Sequence, residues 1–395
     1  MSLLQRLASL PLVRRLYFGL GLPLLRRLPV ASTVLGPVKG WHHAEPAALR
    51  RIDLAAARDD GGTWKLELAP ARQIRNQAPV VCLPELPESF RQGAESTLPA
   101  AVVYQLAPAR IATRQLEPIG PGDCIFDPAG FNGGAVSALS LALPRLPRMQ
   151  RVPGRFATIA TSRAANYYHW LNDCLPRLRL LEELGNDLTF RLLVPRQLSP
   201  FQAESLDFLG YGEARRAPFG AEHWRVDALL VPSLPAAPSQ ASPEGLAWLR
   251  ARLLAAAPKE SKTGPRRIFI SRKQATKRRL LNEDAVVERL ERRGFVAVAT
   301  ETLSFREQVR LFRDAEVVVA PHGAGLANLL FLPPDALVLE LVQARRAKTC
   351  YMAMASAIGI RYAGVSDAPG GEVRDVDFAV PPERIDEALS RLEVR

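Results

Sequence analysis

The chain has 395 residues, 48% hydrophobic and 23% charged, enough for two or three domains with their own cores. That balance excludes a mostly disordered chain, a collagen-like repeat and a polytopic membrane protein. The net charge is +12, from 52 basic and 40 acidic residues, and it points to nucleic acid, an anionic membrane or a phosphorylated substrate without choosing among them. Only seven of the basic residues are lysine. Arginine grips phosphate bidentately, which would suit a phosphate-binding surface, although a GC-rich genome would give the same excess.

Residues 1–44 hold no acidic residue and six basic ones, Arg6, Arg14, Arg15, Arg26, Arg27 and Lys39. The apolar run Leu16–Leu25 is ten residues long and sits between two Arg-Arg pairs. A spanning helix needs about 20 residues. Arg26-Arg27 also separates the run from any signal cleavage site. The segment reads as a basic amphipathic arm lying on an anionic membrane surface, or as an arm packed on the domain. Residues 45–150 carry short apolar runs, Val80–Leu83 and Ala100–Gln105, and a turn-rich stretch from Gly120 to Gly134; they predict a β-rich or mixed region. Cys82, Cys124, Cys174 and Cys350 form no CxxC pair, which argues against a zinc site or a disulfide framework and for a reducing compartment.

From residue 156 the pattern sharpens. Strands are predicted at Phe156–Ala160, Arg191–Pro195 and Ala228–Val231, and helices over Asn166–Leu184 and near Pro200–Leu209. Residues 232–243 are rich in Pro, Ser and Ala and read as a linker. Beyond it come strands at Ile268–Ile270, Val296–Ala299, Val317–Ala320, Leu337–Leu341 and Arg361–Val365. Between them lie helices over Asn282–Arg293 with Asn282 as N-cap, from the capping box Ser304–Glu307 to Ala315, from the glycine turn to about Phe331, and over Thr349–Ile358. Such alternation with near-continuous apolar strands means a parallel sheet covered on both faces. Sheets of this kind bind ligands at the carboxyl ends of their strands.

Three constellations carry candidate chemistry. Pro321-His322-Gly323-Ala324-Gly325-Leu326-Ala327-Asn328 follows the most hydrophobic strand and opens a helix, where free N–H groups favour an anion. It lacks the third glycine of the dinucleotide fingerprint. The basic stretch Lys262, Arg266, Arg267, Arg272, Lys273, Lys277, Arg278 and Arg279 straddles the end of the 268–270 strand; Arg272 and Lys277 are the candidates for phosphate, and the others read as a solvated loop. On the 166–184 helix His169 and Asp173 are i and i+4, an imidazole beside a carboxylate that suits general-base work. Asp375-Val376-Asp377 has the spacing of a metal-binding motif but lies far from the glycine turn and reads as chance.

Residues from about 165 to 365 resemble the family 61 glycosyltransferases, here in a bacterial form associated with capsular or exopolysaccharide synthesis. The resemblance rests on Asn-Tyr-x-His-Trp-x-x-Asp-x-Leu-Pro-Arg (166–177), Ile-Ser-Arg with a basic Arg-Arg-Leu-Leu-Asn-Glu stretch (270–283), Leu-Ser-Phe-x-Glu-Gln-Val (303–309), Pro-His-Gly-Ala-Gly-Leu-Ala-Asn (321–328) and Val-Leu-Glu-Leu (338–341). It implies an α/β protein of GT-B type, with two Rossmann-like domains facing a ligand cleft and the basic amphipathic N-terminal segment added. The divisions that follow are 1–44 for that segment, 45–243 for an acceptor-side domain, 244–380 for a nucleotide-sugar-binding domain and 381–395 for a C-terminal helix.

The resemblance also implies an inverting transfer from a nucleotide sugar to a glycan or lipid-linked acceptor, with no cofactor and no metal required. Asp173 is expected as base with His169 assisting, or the reverse. The donor is expected at Arg272, Lys277, His322, Gly323, Ala324, Gly325, Leu326 and Asn328, with Glu340 on the ribose hydroxyls or as a buried structural carboxylate. Asn166 and Trp170 are expected on the acceptor side. The expected setting is cytoplasmic, peripheral on the inner face of an anionic membrane. Two rival readings are an inactive nucleotide-binding scaffold of the same fold and a nucleic-acid-binding protein. The second would need aromatics interleaved with the basic run, and Phe269 alone is near it.

Overall fold

The computed structural model describes residues 40–42, 50–85, 87–112, 116, 118–119, 124–126, 148–161, 163–185, 188–220, 222–257, 264–367 and 377–394. Most of the basic N-terminal segment, Lys262, Asp375 and Val376 therefore lie outside the described residues. No helix among the described residues is long and apolar enough to cross a membrane.

Two large sheets with flanking helices make an α/β protein. The first sheet is mixed. Its centre is parallel: Met149–Thr158 lies between His223–Pro232 and Arg191–Pro195, and Arg216–Phe219 follows on the outer side. The other edge of His223–Pro232 takes Ala101–Leu106 and Ala109–Ile111 antiparallel. This is a different construction from a purely parallel Rossmann sheet, because the irregular first third contributes hairpin strands rather than βαβ units.

The second sheet is parallel throughout and has six strands: β1 (Cys82–Leu83), β2 (Arg267–Ile270), β3 (Val296–Val298), β4 (Val317–Pro321), β5 (Leu337–Val342) and β6 (Arg361–Ser366). Their order across the sheet is β3-β2-β4-β5-β6-β1. Every residue of β4 and β5 is buried, as their unbroken apolar sequences require of strands covered on both faces. β1 comes from the first third of the chain and closes the far edge. From β2 the chain crosses to β3 on one side and returns to β4 on the other. A crevice therefore opens at the carboxyl ends of β2 and β4, the switch point where such sheets bind ligands.

One apolar core runs under both sheets, joining Leu171, Leu246, Ile270, Phe305, Leu326 and Met354. Phe305 is its hub, in edge contact with Tyr167, Phe208 and Phe331 at centroid distances of 6.4, 5.7 and 5.8 Å. Residues 232–243, expected as a linker, are packed instead. Ser233, Ala236, Gln240, Ala241 and Ser242 are buried, and the Gln240 side chain and carbonyl accept from Asn76 and Asn172 at 2.8 and 2.9 Å. Ser242 then caps the helix Pro243–Ala256.

The helix expected over 166–184 is broken in two. Tyr167–His169 is a single α-turn, Trp170–Cys174 is a π-turn closed by the Leu175 N–H on the Trp170 carbonyl, and Arg177–Glu182 resumes the α-helix. Pro176 has no N–H to give and interrupts the ladder. The extra residue lets Trp170, Leu171 and Cys174 all enter the core while His169 and Asp173 stay partly exposed. Two caps also differ in detail. The Ser304–Glu307 box forms as expected, whereas Asn282 makes no cap bond and instead exchanges hydrogen bonds with Val380.

Trp170, expected to meet an acceptor, is 1% exposed and donates its indole N–H to Ser205 at 2.9 Å. Its role is core packing. Trp170→Ala should lower unfolding free energy by about 3–5 kcal/mol in urea denaturation.

Candidate active site

The site is built where three loops of the parallel sheet meet. Ser271 and Arg272 leave β2, Thr300 follows β3, and His322 to Gly325 leave β4. The Arg272 guanidinium lies against Gly323. A Cβ at residue 323 would come within 2.0 Å of Arg272 Nη1, and one at residue 325 within 2.7 Å of Thr300 Oγ1. The Gly323 backbone is extended, so this glycine serves close approach and not an unusual backbone conformation. The segment after it, Ala324–Phe331, is a 3-10 helix of eight residues rather than an α-helix. Its first N–H groups still lack intrahelical acceptors and carry the positive end of the dipole.

Arg272 also shapes its own loop. Its side chain donates to the carbonyls of Arg278 at 3.2 Å and Lys277 at 2.8 Å. Burial pulls its pKa down from the ordinary arginine value, opposed by nearby Tyr351. Arg278 takes a left-handed backbone, φ +56°, which costs a non-glycine residue about 1 kcal/mol or more. Four other basic residues of the run have partners within the protein. Lys273 pairs with Asp284, Arg266 with Glu316, and Arg279 with Asp377 at 2.9 Å, while Arg267 donates to the Arg293 carbonyl at 2.6 Å. The described member of the Asp-x-Asp sequence is thus the anchor of Arg279.

Two cavities adjoin at this point. The larger, 770 Å³, is lined by Arg272, Lys277, Gly323 and Gly325 and also by Glu204 and Glu301. The smaller, 280 Å³, is lined by His169, Asp173, Arg278, His322 and Lys348. Ala324 lines both. In the smaller cavity His169 Nδ1 lies 2.6 Å from Asp173 Oδ2, and Asp173 Oδ1 accepts from Asn172 at 2.8 Å. Asn166 lines the same cavity, but its side-chain oxygen caps the turn by accepting the N–H groups of Tyr168 and His169. The structure therefore brings Arg272, Lys277 and Leu326 to one cavity and His169, Asp173 and His322 to the other.

Two expected donor residues are not in contact with either cavity. Asn328 is fully buried: it accepts from the Tyr167 hydroxyl at 2.7 Å and donates to Gln308 and the Gly325 carbonyl at 2.8 and 3.0 Å. It latches the turn holding His169 to the glycine turn. Glu340 is also fully buried, and accepts from Tyr362 and His322, so it does not reach ribose hydroxyls. Both residues stand in polar motifs at a strand or helix end, and depth is what separates them from the cavity wall. Sequence reasoning also left Arg278, Lys348, Glu204 and Glu301 unselected. Arg278 was within reach as part of the basic run, but only its backbone turn sends it to the smaller cavity and not the larger.

Comparison with known proteins gives matches to part of this chain. Residues 167–339 match the family described as Glycosyltransferase 61. The chain is 33% identical over 106 residues to the EGF domain-specific O-linked N-acetylglucosamine transferase of Gallus gallus, covering 26% of this chain and 20% of that protein. It is 37% identical over 90 residues to the Xenopus laevis protein of the same name, and 36% over 88 residues to that of Drosophila melanogaster, each covering 22% of this chain and 17% of the relative. The chain thus spans about a fifth of the length of these curated relatives. The residues matched by that family description supply most of the lining of both cavities, so the two-cavity site lies largely within the segment that resembles it.

Proposed function

We propose that the protein transfers a sugar, with inversion, from a nucleotide-sugar donor in the larger cavity to a hydroxyl presented in the smaller one. The observation that carries this reading is the junction at Ala324, which sets a basic, glycine-built wall beside a histidine–carboxylate pair. Arg272, Lys277 and the N-terminus of the 3-10 helix supply the counter-charge that a diphosphate needs on departure, so the reaction calls for no divalent cation. The two sheets on either side of the cleft take the place of the two domains of a GT-B enzyme.

The chemical step has three linked parts. A base removes the proton of the acceptor hydroxyl, the oxygen attacks the anomeric carbon from the face opposite the diphosphate, and the carbon–oxygen bond to phosphate breaks with its electron pair. Both oxygens of Asp173 already accept hydrogen bonds, from His169 and Asn172. His169 Nε2 is then the free basic atom, and Asp173 fixes the proton on Nδ1 and steadies the imidazolium that forms. This reverses the order of the pair preferred from sequence.

The relatives' name specifies N-acetylglucosamine, which makes that sugar the first donor to try. The acceptor is a glycan hydroxyl, of capsular, exopolysaccharide or lipopolysaccharide type, with a protein hydroxyl as the comparison substrate that the relatives' name suggests. The basic residues of 1–44 would hold the enzyme at an anionic cytoplasmic membrane surface where a lipid-linked acceptor resides. Truncation of those residues should release the protein from phosphatidylglycerol vesicles in a flotation assay. Unchanged binding would remove the membrane from the reading.

Melting against a panel of nucleoside diphosphates and their sugars should show one nucleotide raising Tm by mass action, with the rise surviving EDTA. No shift with any nucleotide would favour a scaffold role. Given that nucleotide, His169→Ala and Asp173→Asn should each lower kcat by about 10²–10⁴-fold and leave its Kd within about twofold. Gly323→Ala should do the opposite. The added methyl displaces the Arg272 guanidinium, so nucleotide affinity should fall about tenfold or more, the loss of one charge-assisted contact, in isothermal titration.

A further inference from the structure

The carboxylate of Glu340 lies at the bottom of the site, 0% exposed, on the fully buried strand β5. A buried carboxylate requires a compensating charge or a full set of donors. Two donors reach it: the Tyr362 hydroxyl on β6 bonds Oε2, and His322 Nδ1 at the end of β4 bonds Oε1. Among the described residues no lysine or arginine forms an ion pair with it, which leaves His322 as the cation that can balance it.

His322 is held on every other side. Its backbone N–H donates to the Leu341 carbonyl at 2.9 Å. Its ring lies in edge contact with Tyr351, at 5.2 Å between centroids, and the Tyr351 hydroxyl donates to the Gly323 carbonyl at 2.6 Å. With Nδ1 committed to Glu340, the ring nitrogen left to face the smaller cavity is Nε2. The charged and titratable groups lining that cavity besides His322 are Arg163, Arg278 and Lys348, with His169, Asp173 and the Tyr168 and Tyr351 phenols. Arg272 stands behind Gly323, one residue away, and Cys350 lines the same wall with its thiol driven further toward the neutral form by burial.

We infer that Glu340 is a positioning residue that acts through His322: it keeps the proton on Nδ1, aims Nε2 at the junction of the two cavities, and holds the imidazole cationic when a diphosphate lies there. His322 Nε2–H then donates a hydrogen bond to a phosphate oxygen of the leaving group as negative charge gathers on it. The Tyr362 hydroxyl tempers the arrangement. By sharing the carboxylate it limits how strongly Glu340 holds the imidazolium. This assignment rests on the glycosyl-transfer reading for the identity of the anion, but not for the proton arrangement.

The test is ¹⁵N NMR of histidine-labelled protein, with pyrophosphate as the probe and His322→Asn to assign one of the five histidines. In the wild type, Nδ1 of His322 should remain protonated across the titration, and pyrophosphate should move its midpoint upward. Glu340→Gln removes the charge that favours imidazolium and should move the midpoint down by about one pH unit or more. Tyr362→Phe removes the competing donor and should move it up. A merely structural role would lower Tm in both variants without shifts of opposite sign.

Shifts of the same sign, no shift, or pyrophosphate that leaves the His322 signal in place would overturn the assignment. Should Glu340→Gln fail to fold, the wild-type response to pyrophosphate decides alone. A protein that transfers sugar while His322 ignores pyrophosphate keeps the transferase reading and loses this one. A protein with the predicted shifts that turns over no nucleotide sugar does the reverse.

Discussion

The site depends on the absence of two methyl groups. At residue 323 the space a Cβ would fill belongs to the Arg272 guanidinium, and at residue 325 to the Thr300 hydroxyl. Those contacts bring the loops after β2, β3 and β4 into one wall at the carboxyl edge of the sheet. Arg272 is thereby packed as well as charged: one face lies on the glycine turn, and two of its five N–H groups bind the Lys277 and Arg278 carbonyls. Partial burial weakens its solvation, which strengthens its interaction with any anion that shares the cavity. The same bonds turn the chain so that Lys277 and Arg278 line different cavities.

A second constraint carries this geometry across the molecule. Asn328 uses three hydrogen bonds to fasten the glycine turn to Tyr167 and Gln308. Tyr167 begins the short α-turn that ends at His169, and its ring packs on Phe201 and Phe305. The pair His169–Asp173 is thus held in register with the glycine-turn wall by a buried amide and an aromatic cluster. Loops alone would leave it mobile. A transfer between two bound molecules needs that registration, because misplacing the base relative to the leaving group forfeits most of the advantage of proximity.

Much of this was legible in the residues. The parallel sheet follows from unbroken runs such as Val317–Ala320 and Leu337–Leu341, each bounded by a cap or turn, and it forms where expected. The i, i+4 spacing of His169 and Asp173 survives even though the helix around them becomes a π-turn, because both residues sit on the side that the turn leaves exposed. What could not be read was depth. Glu340, Asn328 and Trp170 are polar or amphipathic residues inside functional-looking motifs, and each is buried behind the cavity walls rather than exposed to a ligand. Composition and spacing are the same for a carboxylate at a cavity wall and one a residue's width behind it. The 232–243 stretch misled in the opposite sense: its Pro, Ser and Ala content suggests a linker, but two asparagine side chains bind Gln240 and draw it into the core.

The unequal sizes of the two cavities bear on specificity. At 770 Å³ the larger is within the range that encloses most of a drug-sized ligand, and a nucleotide sugar is of that class. At 280 Å³ the smaller falls just below that range, with room for a terminal saccharide unit or a single side chain and little more. On the transfer reading, His169 and Asp173 would therefore meet only the reacting end of an acceptor, whatever follows it. Selection among acceptors would then come from surfaces outside the smaller cavity, and selection among donors from within the larger one. Glu204 and Glu301 also line the larger cavity, and Glu301 lies near enough to Arg272 to favour its charged form; the hydroxyls of a ribose or a sugar would find acceptors in these carboxylates. On the transfer reading, a site of this shape would discriminate between donors and leave acceptor choice to surfaces beyond it.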